Sequence, residues 1–284
     1  MNSLIGSAAL AGHLDDPDWR LFDCRHLLSD PAAGEQAYLA AHLPGASFLH
    51  LDRDLSGPMS GRNGRHPLPD PWLLAKKLGA AGVGAATQVV AYDDAGGAFA
   101  ARLWWLLRWI GHDRVAVLDG GIERWKAQGR PLTTAVGTPI PAVLEVRLRE
   151  RVVTSAELLA DLDCRRLCLI DARSPDRFRG ENETLDPVGG HIPGARNRFF
   201  RDNLDADGAF RPAAELRREF LSLLAGVESA AVVMACGSGV TACHNLLAME
   251  LAGLPGARLY AGSWSEWCSD PARPVACPAS AASR

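Results

Sequence analysis

The sequence lacks any long apolar run. Its most hydrophobic stretch, Phe99 to Ile110, is interrupted by Arg102 and Arg108 and falls short of the roughly 18–20 residues that span a bilayer, so no membrane segment is expected. No Lys or Arg precedes Arg20, and the charged start of a signal peptide is therefore missing. Excess basic charge is missing too: 30 Lys and Arg stand against 33 Asp and Glu, a net charge of −3. Readers of nucleic acid usually carry a basic surface or stripe, so no nucleic-acid partner is expected. There is no Gly-Lys-Ser/Thr sequence, which excludes a nucleotide P-loop. The seven cysteines are odd in number and scattered without scaffold spacing, which fits buried free thiols in a reducing cytoplasm. Cys164-x3-Cys168 and Cys243-His244 are not zinc spacings, and neither a metal nor another cofactor is expected. What remains is an ordinary globular composition, 48% hydrophobic and 22% charged, over 284 residues, a length that suggests two domains.

The chain repeats itself. Residues 6–25 align without a gap to residues 154–173, and eight of the twenty pairs are identical, Ser7/Ser155, Leu10/Leu158, Asp23/Asp171 and Arg25/Arg173 among them. His42-Leu-Pro-Gly-Ala recurs as His191-Ile-Pro-Gly-Ala, Val89 to Asp93 resembles Val232 to Cys236, and Asp119 to Trp125 echoes Ala261 to Trp267. Four anchors in one order mean a duplicated domain, because the period is far longer than a solenoid repeat of about 20–50 residues. The expected division is an N-terminal domain over 1–131, a linker over 132–150 and a C-terminal domain over 151–284. The linker reading rests on Thr133-Thr134, Gly137, Pro139 and Pro141, a composition that cannot continue a helix.

Each half alternates strands with helices. Leu167–Asp171 and Ala230–Ala235 read as short buried strands. Thr154-x-x-Glu157 has the form of a capping box and opens a helix through Leu162; Thr241–Ala252 has helical spacing and is ended by Gly253 and Pro255. The fold class is α/β: two α/β/α domains, each with a mostly parallel central sheet.

The chemistry is expected at Cys236-Gly-Ser-Gly-Val-Thr241, which follows a strand and precedes a helix. Ligands of open parallel sheets bind beyond the carboxyl ends of the strands. Gly237 and Gly239 allow the loop to curl so that backbone N–H groups converge, which stabilises an anion and lowers a thiol pKa; Ser238 and Thr241 add hydroxyls. An exposed, reactive thiol is the expectation. A cysteine phosphatase needs an arginine at the end of such a loop, and that position is Ala242.

On these residues the chain resembles the tandem-domain rhodaneses, a sulfurtransferase family. The two His-x-Pro-Gly-Ala motifs, Asp171-Ala-Arg173, the Cys236 loop and Gly-Ser-Trp-Ser-Glu-Trp267 carry the resemblance over nearly the whole length. It implies a C-terminal active cysteine, Cys236, that cycles through a persulfide, and an N-terminal copy whose equivalent residue, Asp93, cannot hold sulfur. The neutral loop residues Gly237, Ser238, Gly239, Val240 and Thr241 resemble the mercaptopyruvate type, and Arg177 matches the family's substrate-binding arginine. The implied reaction moves sulfur from 3-mercaptopyruvate to a thiol, such as thioredoxin or a small thiol, or to cyanide. The alternatives are a thiosulfate:cyanide sulfurtransferase and a catalytically silent binding module. Arg179, Asp30 and His42 are further site candidates, whereas Arg173 reads as structural because Arg25 matches it. His42 and His191 recur together, which favours a role in the fold. The chain departs from the family at Asp186, where animal-type mercaptopyruvate enzymes carry a second arginine, and at Ala261, where Asp is common.

Overall fold

The computed structural model describes residues 2–277. The chain divides into two compact units, one made of the residues up to Gly57, Leu68–Glu150 and Leu204–Phe210, the other of Pro58–Pro67, Arg151–Asn203 and the residues from Arg211 onward. Division by sequence did not anticipate the two short segments, 58–67 and 204–210, that each fold with the other unit.

The first unit is built on five strands: β1 Leu4–Ile5, β2 Trp19–Asp23, β3 Ala46–Phe48, β4 Gln88–Tyr92 and β5 Val115–Leu118. They lie in the order β1-β5-β4-β2-β3, with every pairing parallel. The central strand carries the unbroken run Val89-Val90-Ala91-Tyr92, wholly buried, as expected where helices cover both faces of a sheet. One of those helices, Ala100–Trp109, buries Trp104, Trp105 and Trp109, so the three tryptophans belong to the core. Residues 132–150 lie extended along this unit: the N–H groups of Ala142, Arg147 and Arg149 donate to the carbonyls of Gly79, Ile110 and Trp109 at 2.8, 2.8 and 3.0 Å. Among the described residues no helix is long and apolar enough to cross a membrane.

The second unit repeats the plan with β6 Cys168–Asp171, β7 Arg196–Asn197, β8 Val232–Ala235 and β9 Arg258–Leu259, ordered β7-β6-β8-β9 and again parallel. Val152 bridges Leu259 in parallel, in the position that β1 takes beside β5. The expected capping box is formed: Glu157 N–H donates to Thr154 Oγ1 at 3.2 Å and Thr154 N–H to Glu157 Oε2 at 2.7 Å, opening the helix Ser155–Asp161. The helix Thr241–Leu251 follows β8 and is buried on nearly all sides. Val153, Leu158, Leu169, Ile192, Val233, Tyr260, Trp264 and Trp267 form the core beside it, each large apolar side chain contributing about 1.5–3 kcal/mol on burial.

The duplication extends to single hydrogen bonds. Arg25 clasps Asp23 at 2.6 Å and donates to the Ala41 carbonyl at 2.7 Å; Arg173 clasps Asp171 at 2.7 Å and donates to the Gly190 carbonyl at 2.7 Å. Trp125 and Trp267 donate their indole N–H to Pro131 and Pro274, both at 2.8 Å. His42 stacks on Tyr38, its Nδ1 2.7 Å from that residue's carbonyl, and His191 stacks on Phe178, its Nδ1 2.8 Å from that carbonyl. The paired histidines are therefore turn fasteners, as their recurrence predicts.

Candidate active site

Cys236 stands at the carboxyl end of β8 and is followed by a tight loop that leads into the helix Thr241–Leu251. The loop curls because Gly239 takes φ = +78°; a β-carbon there would overlap the carbonyl of Ala261, so glycine is required on both counts. The curl aims the Gly239 N–H at Cys236 Sγ, which accepts it at 3.1 Å. The other side of the loop is fastened to the helix Ser263–Trp267. Trp264 and Ser265 donate their N–H groups to the carbonyls of Cys236 and Gly237 at 3.0 and 2.9 Å. The Cys236 N–H donates to Ser263 Oγ at 3.0 Å, and that hydroxyl donates to the Tyr260 carbonyl at 2.9 Å.

The exposed thiol expected from the sequence is corrected here. Cys236 is only 2% exposed, because the Ser263 segment and the segment 58–67 flank its loop. Gly64 approaches Gly262 so closely that a β-carbon would lie 2.7 Å from the Gly262 carbonyl oxygen, Arg65 N–H donates to Ser265 Oγ at 3.1 Å, and His66 Nδ1 lies 2.7 Å from Ser238 Oγ.

The first unit shows what such a loop collects. Asp93, the counterpart of Cys236, is 1% exposed, and its carboxylate accepts four backbone N–H groups, from Ala95, Gly97, Phe99 and Ala100, each at 2.8 Å. Strand, glycine-rich turn and helix start together make an anion-binding ring. In the first copy that ring is filled by the protein's own carboxylate; in the second the residue at its head is a thiol.

Two guanidiniums face the second loop. A methyl group built on Gly237 would lie 2.9 Å from Nη2 of Arg65 and 3.7 and 3.8 Å from Nη2 and Nη1 of Arg177. Behind them stand two buried carboxylates. Glu183 holds Arg177 through Nε and Nη2 at 3.2 and 2.8 Å and also meets Arg173 at 3.4 Å. Asp186 pairs with Arg65 and lies 3.7 Å from Arg177. Burial raises the carboxyl pKa of Glu183, but the bonds from Arg177 and from the Leu185 and Asp186 N–H groups outweigh it and hold the group below the ordinary carboxylate range. At Asp186 burial wins over the pairing with Arg65, and the pKa rises.

The sequence candidates separate cleanly. Cys236, Gly237, Ser238, Gly239 and Arg177 are brought together; Val240 is buried at the loop's end and Thr241 is the first residue of the helix. Arg179 is exposed and paired with Glu181 at 2.7 Å, two residues along its own loop; pointing to solvent, it takes no part. Asp30 is likewise exposed, its carboxylate accepting the Ala32 N–H in a local turn. His42 is wholly buried, and its second ring nitrogen lies 3.2 Å from the Ala135 carbonyl, so neither nitrogen is left for chemistry. Arg173 is structural as expected, clasped to Asp171 and lying over the Trp264 ring at 4.9 Å. Sequence reasoning missed Arg65, His66, Glu183 and Ser263. The first two sit in Gly-Arg-Asn-Gly-Arg-His-Pro67, a basic, glycine-rich run between repeat anchors.

One histidine cluster invites a metal: ligand atoms of His26, His50 and Asp52 lie within 4.8 Å of one another in the first unit. His50 is already committed, however, accepting the Asp52 N–H at Nδ1 (3.1 Å) and lying 3.0 Å from the Pro31 carbonyl at Nε2. It caps the helix Leu51–Asp54.

The described cysteines are all free, five of them buried. Burial pushes the thiol pKa of Cys24 and Cys168 up, and that of Cys268 to about 11.

Comparison with known proteins agrees with this geometry. The rhodanese-like domain matches twice, over residues 7–128 and 154–270. A probable 3-mercaptopyruvate sulfurtransferase of Pseudomonas aeruginosa is 51% identical over 276 residues, covering 96% of this chain and 97% of the relative. The thiosulfate sulfurtransferase of Bos taurus is 35% identical over 259 residues, covering 88% and 85%. Among solved structures, the 3-mercaptopyruvate sulfurtransferase from Leishmania major superposes with a TM-score of 0.83 at 30% identity, over 94% of this chain and 74% of that one. Two copies of one sheet, a cysteine at the head of a glycine-rich loop in the second, a family model that matches both halves and relatives named as sulfurtransferases lead to one conclusion: the chain belongs to the rhodanese family, as a tandem-domain sulfurtransferase.

Proposed function

We propose that this sulfurtransferase takes its sulfur from 3-mercaptopyruvate, carries it as a persulfide on Cys236 and passes it to a thiol, such as a small thiol or thioredoxin, or to cyanide. The Cys236 thiolate attacks the donor sulfur. The carbon–sulfur bond breaks with its electron pair going to carbon, so pyruvate leaves as its enolate and takes a proton afterwards, while the outer sulfur keeps its hydrogen as Cys–S–SH. An acceptor thiolate then attacks that outer sulfur, forms a new persulfide and releases the Cys236 thiolate. Splitting one transfer into two displacements is covalent catalysis and gives ping-pong kinetics.

The observation that carries the donor assignment is Arg177. Its two terminal nitrogens lie 3.7 and 3.8 Å from where a Gly237 methyl would stand, and mercaptopyruvate has two carbons between its sulfur and its carboxylate, enough to meet a guanidinium beside the loop while sulfur meets Sγ. The hydrogen bond between Ser238 and His66 fixes a hydroxyl at the same loop, where the donor's carbonyl oxygen gains charge as the enolate forms; a fixed dipole there lowers the barrier. Seven free thiols suit a reducing compartment, and the cytoplasm is the proposed location.

Thiosulfate is the second reading, and one observation favours it. The loop's own residues are neutral, but Arg65 brings a cation to Gly237 from segment 58–67, which suits a dianion whose charge adjoins the transferring sulfur. Comparing kcat/KM for the two donors with one acceptor decides between them. The wild type is expected to prefer 3-mercaptopyruvate, and Arg177→Ala to lose about 10–150-fold with it, the worth of a charge-assisted bond. A tenfold preference for thiosulfate overturns the donor assignment.

A further inference from the structure

Arg65 is the one cation among the four residues of this site that the sequence did not reveal. It sits in a segment distant in sequence from the cysteine loop, yet it is held on both sides: its N–H donates to Ser265 Oγ at 3.1 Å, and the next residue, His66, is bonded to Ser238 at 2.7 Å. The side chain is equally fixed. Nη1 pairs with Asp186, a carboxylate only 3% exposed, while Nη2 faces the loop, 2.9 Å from where a Gly237 methyl would stand. Arg177 comes near the same point from another segment, its Nε and Nη2 bonded to Glu183 and its Nη1 3.8 Å from the same methyl position. The side chains of Arg65 and Arg177 are 27% and 22% exposed, so neither guanidinium is sealed from solvent.

This arrangement is more than a surface ion pair. Glu183 holds Arg177 at two nitrogens and Asp186 tethers Arg65 at one, so a ligand's oxyanion meets donors that are already restrained, and preorganisation of that kind raises affinity. Asp186 also has one carboxylate oxygen, Oδ2, buried without a hydrogen-bond partner and 3.7 Å from Arg177.

We propose that Arg65 is a second donor-binding residue, which together with Arg177 grips the oxyanion end of the sulfur donor, and that Asp186 is the positioning residue that aims it. The proposal rests on the donor reading above and names the partner that Arg177 needs for two-sided recognition of a carboxylate. Asp186 thereby does by salt bridge what a cation at its own position would do directly: it recruits one from the segment 58–67.

A double-mutant cycle with 3-mercaptopyruvate tests this. Arg65→Ala is expected to raise KM about 10–100-fold with a smaller change in kcat. Arg65→Ala/Asp186→Ala, which leaves no unpaired buried charge, should stay as weak, and Arg65→Ala/Asp186→Arg should recover at least a tenth of wild-type kcat/KM by returning a guanidinium to the pocket. A second readout needs no turnover: pyruvate should protect wild-type Cys236 from alkylation at concentrations about tenfold below those that protect Arg65→Ala. If Arg65 merely neutralises Asp186, the Ala/Ala variant will regain wild-type KM, and that result overturns the proposal. A wild type that turns over 3-mercaptopyruvate well while Arg65→Ala matches it refutes the role of Arg65 alone. A wild type inactive with 3-mercaptopyruvate but active with thiosulfate refutes the donor reading and, with it, this one.

Discussion

Ser263 offers a test in which stability moves against the usual order of substitutions. It has φ = +53°, the left-handed region that costs a residue with a β-carbon about 1–2 kcal/mol. In the first copy the same position is Gly121, at φ = +56°, where no such cost arises. What Ser263 brings instead is its buried hydroxyl, which accepts the Cys236 N–H and donates to Tyr260. Ser263→Ala keeps the strain and loses both bonds, leaving the Cys236 N–H buried and unpaired, for a loss of about 2–4 kcal/mol. Ser263→Gly loses the same bonds but relieves the strain, part of the gain being offset by the roughly 0.5–1 kcal/mol entropic cost of glycine. The glycine variant should therefore be the more stable of the two, by about 1 kcal/mol, or about 2–4 °C in melting temperature. Urea and thermal unfolding of the three proteins, side by side, read this directly. Both variants should also lose kcat, because the N–H fastening the cysteine loop has lost its partner. If Ser263→Ala equals or exceeds Ser263→Gly in stability, the strain argument fails.

Two further outcomes follow from buried carboxylates. Asp93→Ala removes the acceptor of four backbone N–H groups and should destabilise the first unit by about 4 kcal/mol or more, seen as an early transition on thermal melting, while folded protein still loads sulfur at Cys236. Glu183 has a folded pKa held below the ordinary value, first raised by burial and then lowered further by Arg177 and loop N–H groups. Its stabilising contribution is therefore complete above about pH 4.5 and lost as pH falls through the lowered value. Glu183→Gln should be less stable at pH 7 and show a flatter acid limb below about pH 4.5; an unchanged limb in urea titrations across pH 3–7 contradicts the assignment.

Much of this molecule was legible because it is written twice. Arg173 could be read as structural from the sequence, since its counterpart Arg25 lies in the copy without a cysteine; that each arginine clasps the aspartate two residues before it and bonds a carbonyl from the following turn is what the structure adds. The strand, Cys236 loop and helix were legible for a local reason: β-branched run, glycines and helical spacing follow one another within 20 residues. Arg65 and His66 were illegible for the opposite reason. They come from a stretch between repeat anchors, and nothing in local propensity tells a basic glycine-rich loop which partner it will meet. Arg179 misled because a charged residue beside Arg177 differs from it only by the direction of its side chain, and it turned to Glu181. Ser263 carries a signal in the repeat itself: it aligns with Gly121, and a serine at a left-handed position where the other copy has glycine marks a hydroxyl that is bonded.

Whether sulfur rests on Cys236 is read most plainly by intact-mass analysis after donor treatment. One added sulfur atom is expected on the wild-type chain, located to the peptide that contains Cys236, removed by a thiol acceptor and absent from Cys236→Ser. Cys164 and Cys277 are exposed but lie outside the loop, and neither should retain sulfur once free donor is removed. Stable sulfur on another cysteine, or catalytic transfer that persists in Cys236→Ser, would contradict the account.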